Sequence, residues 1–275
     1  MWAKAKIVHF SDGRLAVSID ATELHFLSAA QIEALIKSGE FKAGEKYFLG
    51  LDVFDSEPYF AWNSDHPKSQ SDDAPAGYAT LREIGGDLDE MQMELALHSV
   101  ALSNWHNTHP HCARCGAQTS VAMGGAVRKC DADQSEHYPR TDCAVIVLVH
   151  DADDRILLGR QAIWPEGRFS CFAGFLEPGE TFEQCVQREV FEESGIAVRE
   201  INYLGSQPWP FPASIMISFE AITDFPEVAR PDGEEIVEIK WLSRTQFNEQ
   251  VADGSLSLPP IMSVSRKMID RWLYA

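Results

Sequence analysis

Apolar and polar positions along this chain fall into stretches of distinct period. Residues 143–149 (Cys-Ala-Val-Ile-Val-Leu-Val) are apolar throughout, the pattern of a strand buried on both faces. Residues 155–159 predict a second strand after the acidic turn at 151–154, and residues 215–221 and 236–242 predict two more. Nearer the N-terminus, residues 15–19 and 46–54 predict strands rich in β-branched and aromatic side chains. Residues 28–31 (Ser-Ala-Ala-Gln) ahead of the apolar run 32–36 predict a capped helix ending at Gly39. Helical spacing of apolar residues predicts a long helix over 88–107 and a final one over 263–273. Residues 63–77, rich in Ser, Asp, Pro and Gly, read as a surface loop. The mixture places the chain in the α/β (α+β) class, with boundaries near residues 107 and 140 around a short, turn-rich, cysteine-bearing stretch.

Composition narrows the function classes. The chain has 275 residues, 45% of them hydrophobic and 24% charged, enough to bury a substantial core. No apolar run approaches the ~18–20 residues that span a bilayer, and the first residues lack a signal-like apolar segment. A cytoplasmic location is the expectation. A net charge of −19 opposes long electrostatic contacts with nucleic acid, though not a local basic pocket or cation-dependent handling of phosphate. Three of the six cysteines, Cys112, Cys115 and Cys130, cluster in a way that suits a metal better than a disulfide framework.

Residues 174–196 carry the chemistry. Thr181-Phe-Glu-Gln184 is a capping box, so a helix begins there, and Gly195 is a natural terminator. Phe182, Cys185 and Val186 share one helical stripe. One turn further on, the same stripe presents Glu189 and Glu193, with Glu192 beside them. Carboxylates at this spacing repel one another, and near a core they require a cation; Mg²⁺ and Mn²⁺ prefer such oxygen donors. Arg188 is available to hold them in place. The competing reading is a solvated acidic helix face.

The full spacing decides between these readings. Gly174, Glu180, Arg188, Glu189, Val190, Glu192, Glu193, Gly195 and Ile196 match the Nudix box at every fixed position, a coincidence of roughly 10⁻⁸ at average residue frequencies. The segment therefore resembles the Nudix hydrolases. That resemblance implies an α/β/α sandwich with a mixed sheet and a hydrolase of substituted nucleoside diphosphates. It implies catalytic roles for Arg188, Glu189, Glu192 and Glu193, and Mg²⁺ or Mn²⁺ held by Glu189, Glu193 and the Ala173 carbonyl.

Residues 206–214 read Ser-Gln-Pro-Trp-Pro-Phe-Pro-Ala-Ser, a stiff segment that cannot be an ordinary central strand. It resembles the signature of the NADH pyrophosphatase branch, some of whose members also remove the NAD cap from RNA. The resemblance implies a domain at 1–107 like that branch's N-terminal domain, a zinc-ribbon-like segment at 108–140 and the hydrolase domain at 141–275. It implies cleavage of NADH or NAD⁺ to NMN(H) and AMP in a homodimer, with ADP-ribose or another nucleoside diphosphate derivative as the alternative substrate. Gln207, Pro208, Trp209, Pro210, Phe211, Pro212, Ala213 and Ser214 would line the pocket with Tyr138 and Phe175, though Phe175 also reads as a core residue. Glu235 matches the distal metal-binding glutamate, with Glu234 and Glu238 as rivals. Arg82 and Ser265 align with substrate contacts; a surface arginine is the commoner reading of the first, and a helix N-terminal serine explains the second equally well.

The chain departs from the branch in two places. The ribbon keeps Cys112 and Cys115, but its second pair reads Cys130-Asp-Ala-Asp133. Zinc accepts a carboxylate, so Asp133 is the expected fourth ligand, with Asp131, His111 and His137 as alternatives. Gly125 stands where the branch often has a substrate-contacting acid.

Overall fold

The computed structural model describes residues 1–64 and 77–275. Most of the loop expected at 63–77 lies outside the described residues. The chain divides into two compact units, Met1–Arg140 with Pro210–Ala213, and Thr141–Trp209 with Ser214–Ala275. No helix among the described residues is long and apolar enough to cross a membrane.

In the first unit β1 (Lys6–Ser11), β2 (Arg14–Ala16), β3 (Phe26–Leu27), β4 (Glu45–Leu51), β5 (Pro58–Asn63) and β6 (Tyr78–Ala79) share a sheet. The order is β4-β5-β1-β2-β6, with β3 also paired to β1. The helix α1 (Ala29–Ser38) starts at the Ser28–Gln31 capping box and sets Ala29 and Ile32 in one core with Ile7 and Trp62. The helices α2 (Leu81–Ile84) and α3 (Glu90–Thr108) follow. The strand expected at 15–19 ends at Ala16, because Ser18 turns the chain by donating to Asp20 and accepting from Glu23. The one expected at 46–54 ends at Leu51, where the Asp52 carboxylate takes the Phe54 and Asp55 amides.

The cysteine-bearing stretch forms a small sheet of β7 (Thr119–Ala122), β8 (Val127–Cys130) and β9 (Glu136–His137). Buried Arg128 ties it to the rest of this unit. Its guanidinium donates to the Thr119 hydroxyl and carbonyl and lies 2.9 Å from His106 Nδ1 on α3. His106 Nε2 in turn reaches the Gly125 carbonyl at 2.8 Å. A side chain at position 125 would meet the Tyr47 ring at 2.8 Å, so packing against β4 requires the glycine that replaces the branch's acid.

The second unit has the α/β/α layout that the resemblance implies. Its sheet holds β10 (Asp142–His150), β11 (Ile156–Gln161), β12 (Phe172–Phe175), β13 (Arg199–Trp209), β14 (Ser214–Ile222) and β15 (Ile236–Leu242). The order is β13-β14-β10-β11-β15, with β12 on β10 and only β10–β14 parallel. Along β10, Val145, Val147 and Val149 point into one core while Ile146 and Leu148 point into another. The first core is covered by α4 (Phe182–Ser194) through Cys185, Val186 and Val190. The second is covered by α5 (Arg244–Ala252) through Phe247 and by α6 (Val264–Tyr274) through Met268, Ile269 and Trp272. The apolar run 143–149 is thus the centre of a three-layer α/β/α sandwich. Neither β13 nor α5 was foreseen; β13 is an edge strand whose residues are mostly exposed, so it lacks apolar alternation.

Candidate functional site

The acidic site stands on α4. Thr181 Oγ1 accepts the Gln184 amide at 3.2 Å and the Gln184 side chain accepts the Thr181 amide at 2.8 Å, so the capping box forms as expected. Gly195 closes the helix at φ 71, in the left-handed region. The fixed start and end set the phase: Cys185, Val186 and Val190 face the core, and Glu193 continues their stripe at 4% exposure. Opposite them, β12 runs past so closely that a Cβ on Gly174 would fall 1.8 Å from the Glu189 carboxyl carbon. Any side chain at the head of the box would therefore push the Glu189 carboxylate out of the place where Arg188 holds it.

Arg188 organises the remaining carboxylates. It donates through Nε and Nη2 to Glu180 at 2.6 and 2.9 Å, and through Nη1 to Glu189 at 2.8 Å and Glu192 at 3.1 Å. Its Nη2 also reaches the Phe175 carbonyl at 3.0 Å, fixing the helix to the end of β12. Glu180 further accepts the Glu177 amide, and the Arg188 contact holds its carboxyl down at about 2. The arginine itself stays charged at all pH values of interest.

Glu193 is the electrostatic opposite. Burial drives its pKa up to about 8, and the charges of Glu235, Glu189 and Asp232 push the same way, against a backbone hydrogen bond from Ala173. Glu189 is also raised, by burial first, with Arg188 opposing. Glu193 Oε2 is fully buried and has no hydrogen-bond partner among the described residues. A buried, unpartnered carboxylate oxygen among acidic neighbours is a fit for a hard divalent cation with oxygen ligands. Glu235, just ahead of β15, accepts from Gln161 at 2.7 Å and belongs to this field, whereas its rival Glu238 is paired with Arg160 at 3.1 Å. Asp232 was not foreseen; its signal was only its place in the acidic turn before β15.

Residues 140–262 match the family model of the NUDIX domain. Those residues belong to the Nudix family. Over 208 residues, 73% of this chain, it is 43% identical to the "NAD-capped RNA hydrolase NudC" of Mycobacterium bovis, spanning 66% of that protein's length, a little under two thirds. It is 34% identical over 198 residues to the "NAD-capped RNA hydrolase NUDT12" of Homo sapiens, covering 68% of this chain and 43% of that one. A NUDIX hydrolase structure from Nitrosomonas europaea aligns with a TM-score of 0.42 at 21% identity, over 54% of this chain and 96% of its own.

Beyond the Nudix box, the expected substrate residues sit in varied settings. Ser206 to Trp209 close the edge strand β13, Pro210–Ala213 turn, and Ser214 opens β14. Within the first unit Asn104 donates to the carbonyls of Pro210 and Pro212 at 3.0 and 3.1 Å, and the Arg82 guanidinium lies 3.9 Å over the Phe211 ring. Gln207 uses both ends of its amide on backbone, donating to Met262 and accepting from Val264, each at 2.7 Å. Phe175 is 57% exposed and Tyr138 65%; the Tyr138 hydroxyl donates to Glu136. Ser265 is buried, with its hydroxyl 2.8 Å from that of Ser170 and accepting from the Cys171 amide.

The ribbon brings Cys112, Cys115, Cys130 and Asp133 together, with their ligand atoms all within 4.8 Å of one another. The Ser135 hydroxyl beside Cys112 is the main influence holding that thiol down at about 6, and Ser135 likewise keeps the Asp133 carboxyl well below its usual range. The alternatives His111 and Asp131 lie outside this cluster.

Proposed function

We propose that the chain hydrolyses the diphosphate bond of NADH or NAD⁺ to NMN(H) and AMP, and removes NAD caps from RNA by the same reaction. The observation that carries the reading is the buried Glu193 in a field of carboxylates, its Oε2 without a hydrogen-bond partner among the described residues, combined with similarity to relatives named NAD-capped RNA hydrolases.

The residues that would hold Mg²⁺ or Mn²⁺ are Glu189, Glu193, Glu235 and the Ala173 carbonyl. When bound, such a cation supplies positive charge against the diphosphate and acidifies water. Arg188 holds Glu189 and Glu192 in fixed positions through shared hydrogen bonds, so the donors need little rearrangement. Burial of Glu193 excludes competing water from one side of the site. A carboxylate of this field takes the proton of the attacking water. Phe175, exposed at the end of β12, offers a face for stacking. Arg82, Tyr138, Ser265 and residues 207–214 are the remaining proposed substrate contacts. Gln207 acts through the 262–264 backbone that it clamps. Ser265 acts through Ser170 and Cys171.

The cysteine cluster is proposed to hold structural zinc, and the assembly to be a cytoplasmic homodimer. The net charge of −19 favours a small substrate or a cap over long RNA contacts. The test is to incubate the protein with Mg²⁺ or Mn²⁺ and NADH, NAD⁺, ADP-ribose, FAD or NAD-capped RNA, and compare kcat/KM. Release of NMN(H) and AMP, with NADH or NAD⁺ among the best substrates, supports the reading. Hydrolysis of ADP-ribose alone would replace it.

A further inference from the structure

The ribbon site, read above as a zinc site, has a donor set of its own. We infer that its ion is held by three thiolates and one carboxylate oxygen, with Asp133 as the fourth ligand, Ser135 orienting that carboxylate and His137 outside the ligand sphere against Cys112.

The two oxygens of Asp133 have separate tasks. Oδ1 accepts from the Ser135 amide at 2.9 Å and from the Ser135 hydroxyl at 2.5 Å, which satisfies it. Oδ2 is thereby turned into the cysteine cluster, 3.6 Å from Cys112 Sγ. Across the cluster, Cys115 Sγ and Cys130 Sγ are also 3.6 Å apart. A tetrahedron with Zn–S bonds of about 2.3 Å has edges of about 3.8 Å, and slightly less where one donor is oxygen. These two edges are close to that length, and all four donors come from two tight turns, 112–115 and 130–133. A disulfide, by contrast, would need sulfurs about 2.05 Å apart.

His137 is the competing donor, and the geometry gives it a different place. Its Nε2 lies 3.2 Å from Cys112 Sγ and 3.1 Å from Ser135 Oγ, so it contacts a ligand and the residue that orients another. It does not join the group whose donor atoms converge. Charge supports the same assignment. Three thiolates and a carboxylate brought within 4.8 Å of one another repel strongly without a cation. Exchanging one soft thiolate for a hard, exposed carboxylate makes the site weaker and more exchangeable than four thiolates would.

The test uses the full chain, loaded with zinc and separately with Co²⁺, and does not depend on hydrolase activity. The wild type is expected to bind one zinc per chain and to give a tetrahedral cobalt spectrum with charge transfer from three thiolates. Asp133→Cys should bind zinc more tightly and raise the thiolate charge-transfer intensity by about a third, four donors replacing three. Asp133→Ala should lose the tetrahedral spectrum or weaken binding at least tenfold, and Ser135→Ala should weaken it on the order of tenfold, as loss of a ligand's orienting partner does. His137→Ala should keep the spectrum. A wild type that takes up neither metal overturns the inference. So does Asp133→Ala with unchanged spectrum and affinity, or a His137→Ala variant that loses the tetrahedral signature. If Asp133→Ala fails to fold, the Asp133→Cys spectrum still decides. If NADH is not hydrolysed while these metal results hold, only the proposed activity fails.

Discussion

Two groups of anionic donors in this chain are built in opposite ways. Glu189, Glu192 and Glu193 stand on one helix, where the i, i+3 and i+4 spacing sets their places, and Arg188 ties Glu189 and Glu192 to Glu180 just ahead of it. The ribbon donors sit on two turns, with Cys115 and Asp133 exposed and a single serine doing the orienting. In the first group the scaffold fixes the donors and crowds negative charge around buried Glu193. In the second, short turns place the donors and the sphere itself departs from four cysteines. The contrast teaches that a helix-borne group can be checked position by position from spacing, whereas a turn-borne group can depart from four cysteines and still bring its donor atoms together.

The largest expected effect comes from removing the most stressed charge. Glu193→Gln should lower kcat for NADH by about 10²–10³-fold or more, as loss of a main electrostatic group does. The same change should raise the melting temperature of the cation-free protein above pH 8, because it deletes an unpaired buried charge. A variant that is both active and destabilised would break the contrast. Next is Gly174→Ala. Its Cβ would overlap the Glu189 carboxylate, so it should cost about 1–3 kcal/mol of stability by denaturant titration and at least tenfold in kcat.

The pH dependence follows from the raised Glu193. Its carboxyl pKa moves from an ordinary 4.5 to about 8, so the folded state binds more protons than the unfolded chain between those values. This contribution is fully present below pH 4.5 and is lost as pH rises through 8. In the absence of divalent cation, stability relative to Glu193→Gln should therefore fall across that window. Saturating Mg²⁺ should remove the fall in the wild type and leave Glu193→Gln little changed. The smallest effect is expected of Arg188→Lys, which keeps the charge but loses the fork that serves three carboxylates; kcat/KM should drop about tenfold.

The central strand was legible because residues 143–149 are apolar on both faces, whereas the sandwich around it was legible only through the resemblance carried by the box. The box helix was legible to its caps, since Thr181, Gln184 and Gly195 act locally. What escaped had no local signal. The edge strand β13 carries mostly exposed residues and Pro208, so nothing alternates. Asp232 reaches Glu193 only because β15 returns beside β11. The Gln207 clamp and the Ser265–Ser170 pair join residues more than fifty positions apart. The Tyr47 ring that excludes a side chain at 125 comes from β4.

The most direct test is product analysis of NADH incubated with Mn²⁺ and either wild type or Glu193→Gln, both confirmed folded by circular dichroism. The expected result is NMNH and AMP in equal amounts from the wild type and a loss of at least about 10²-fold in the variant. Equal rates from the two proteins, or no NMNH from either, would contradict a diphosphate-cleaving centre built on the buried end of α4.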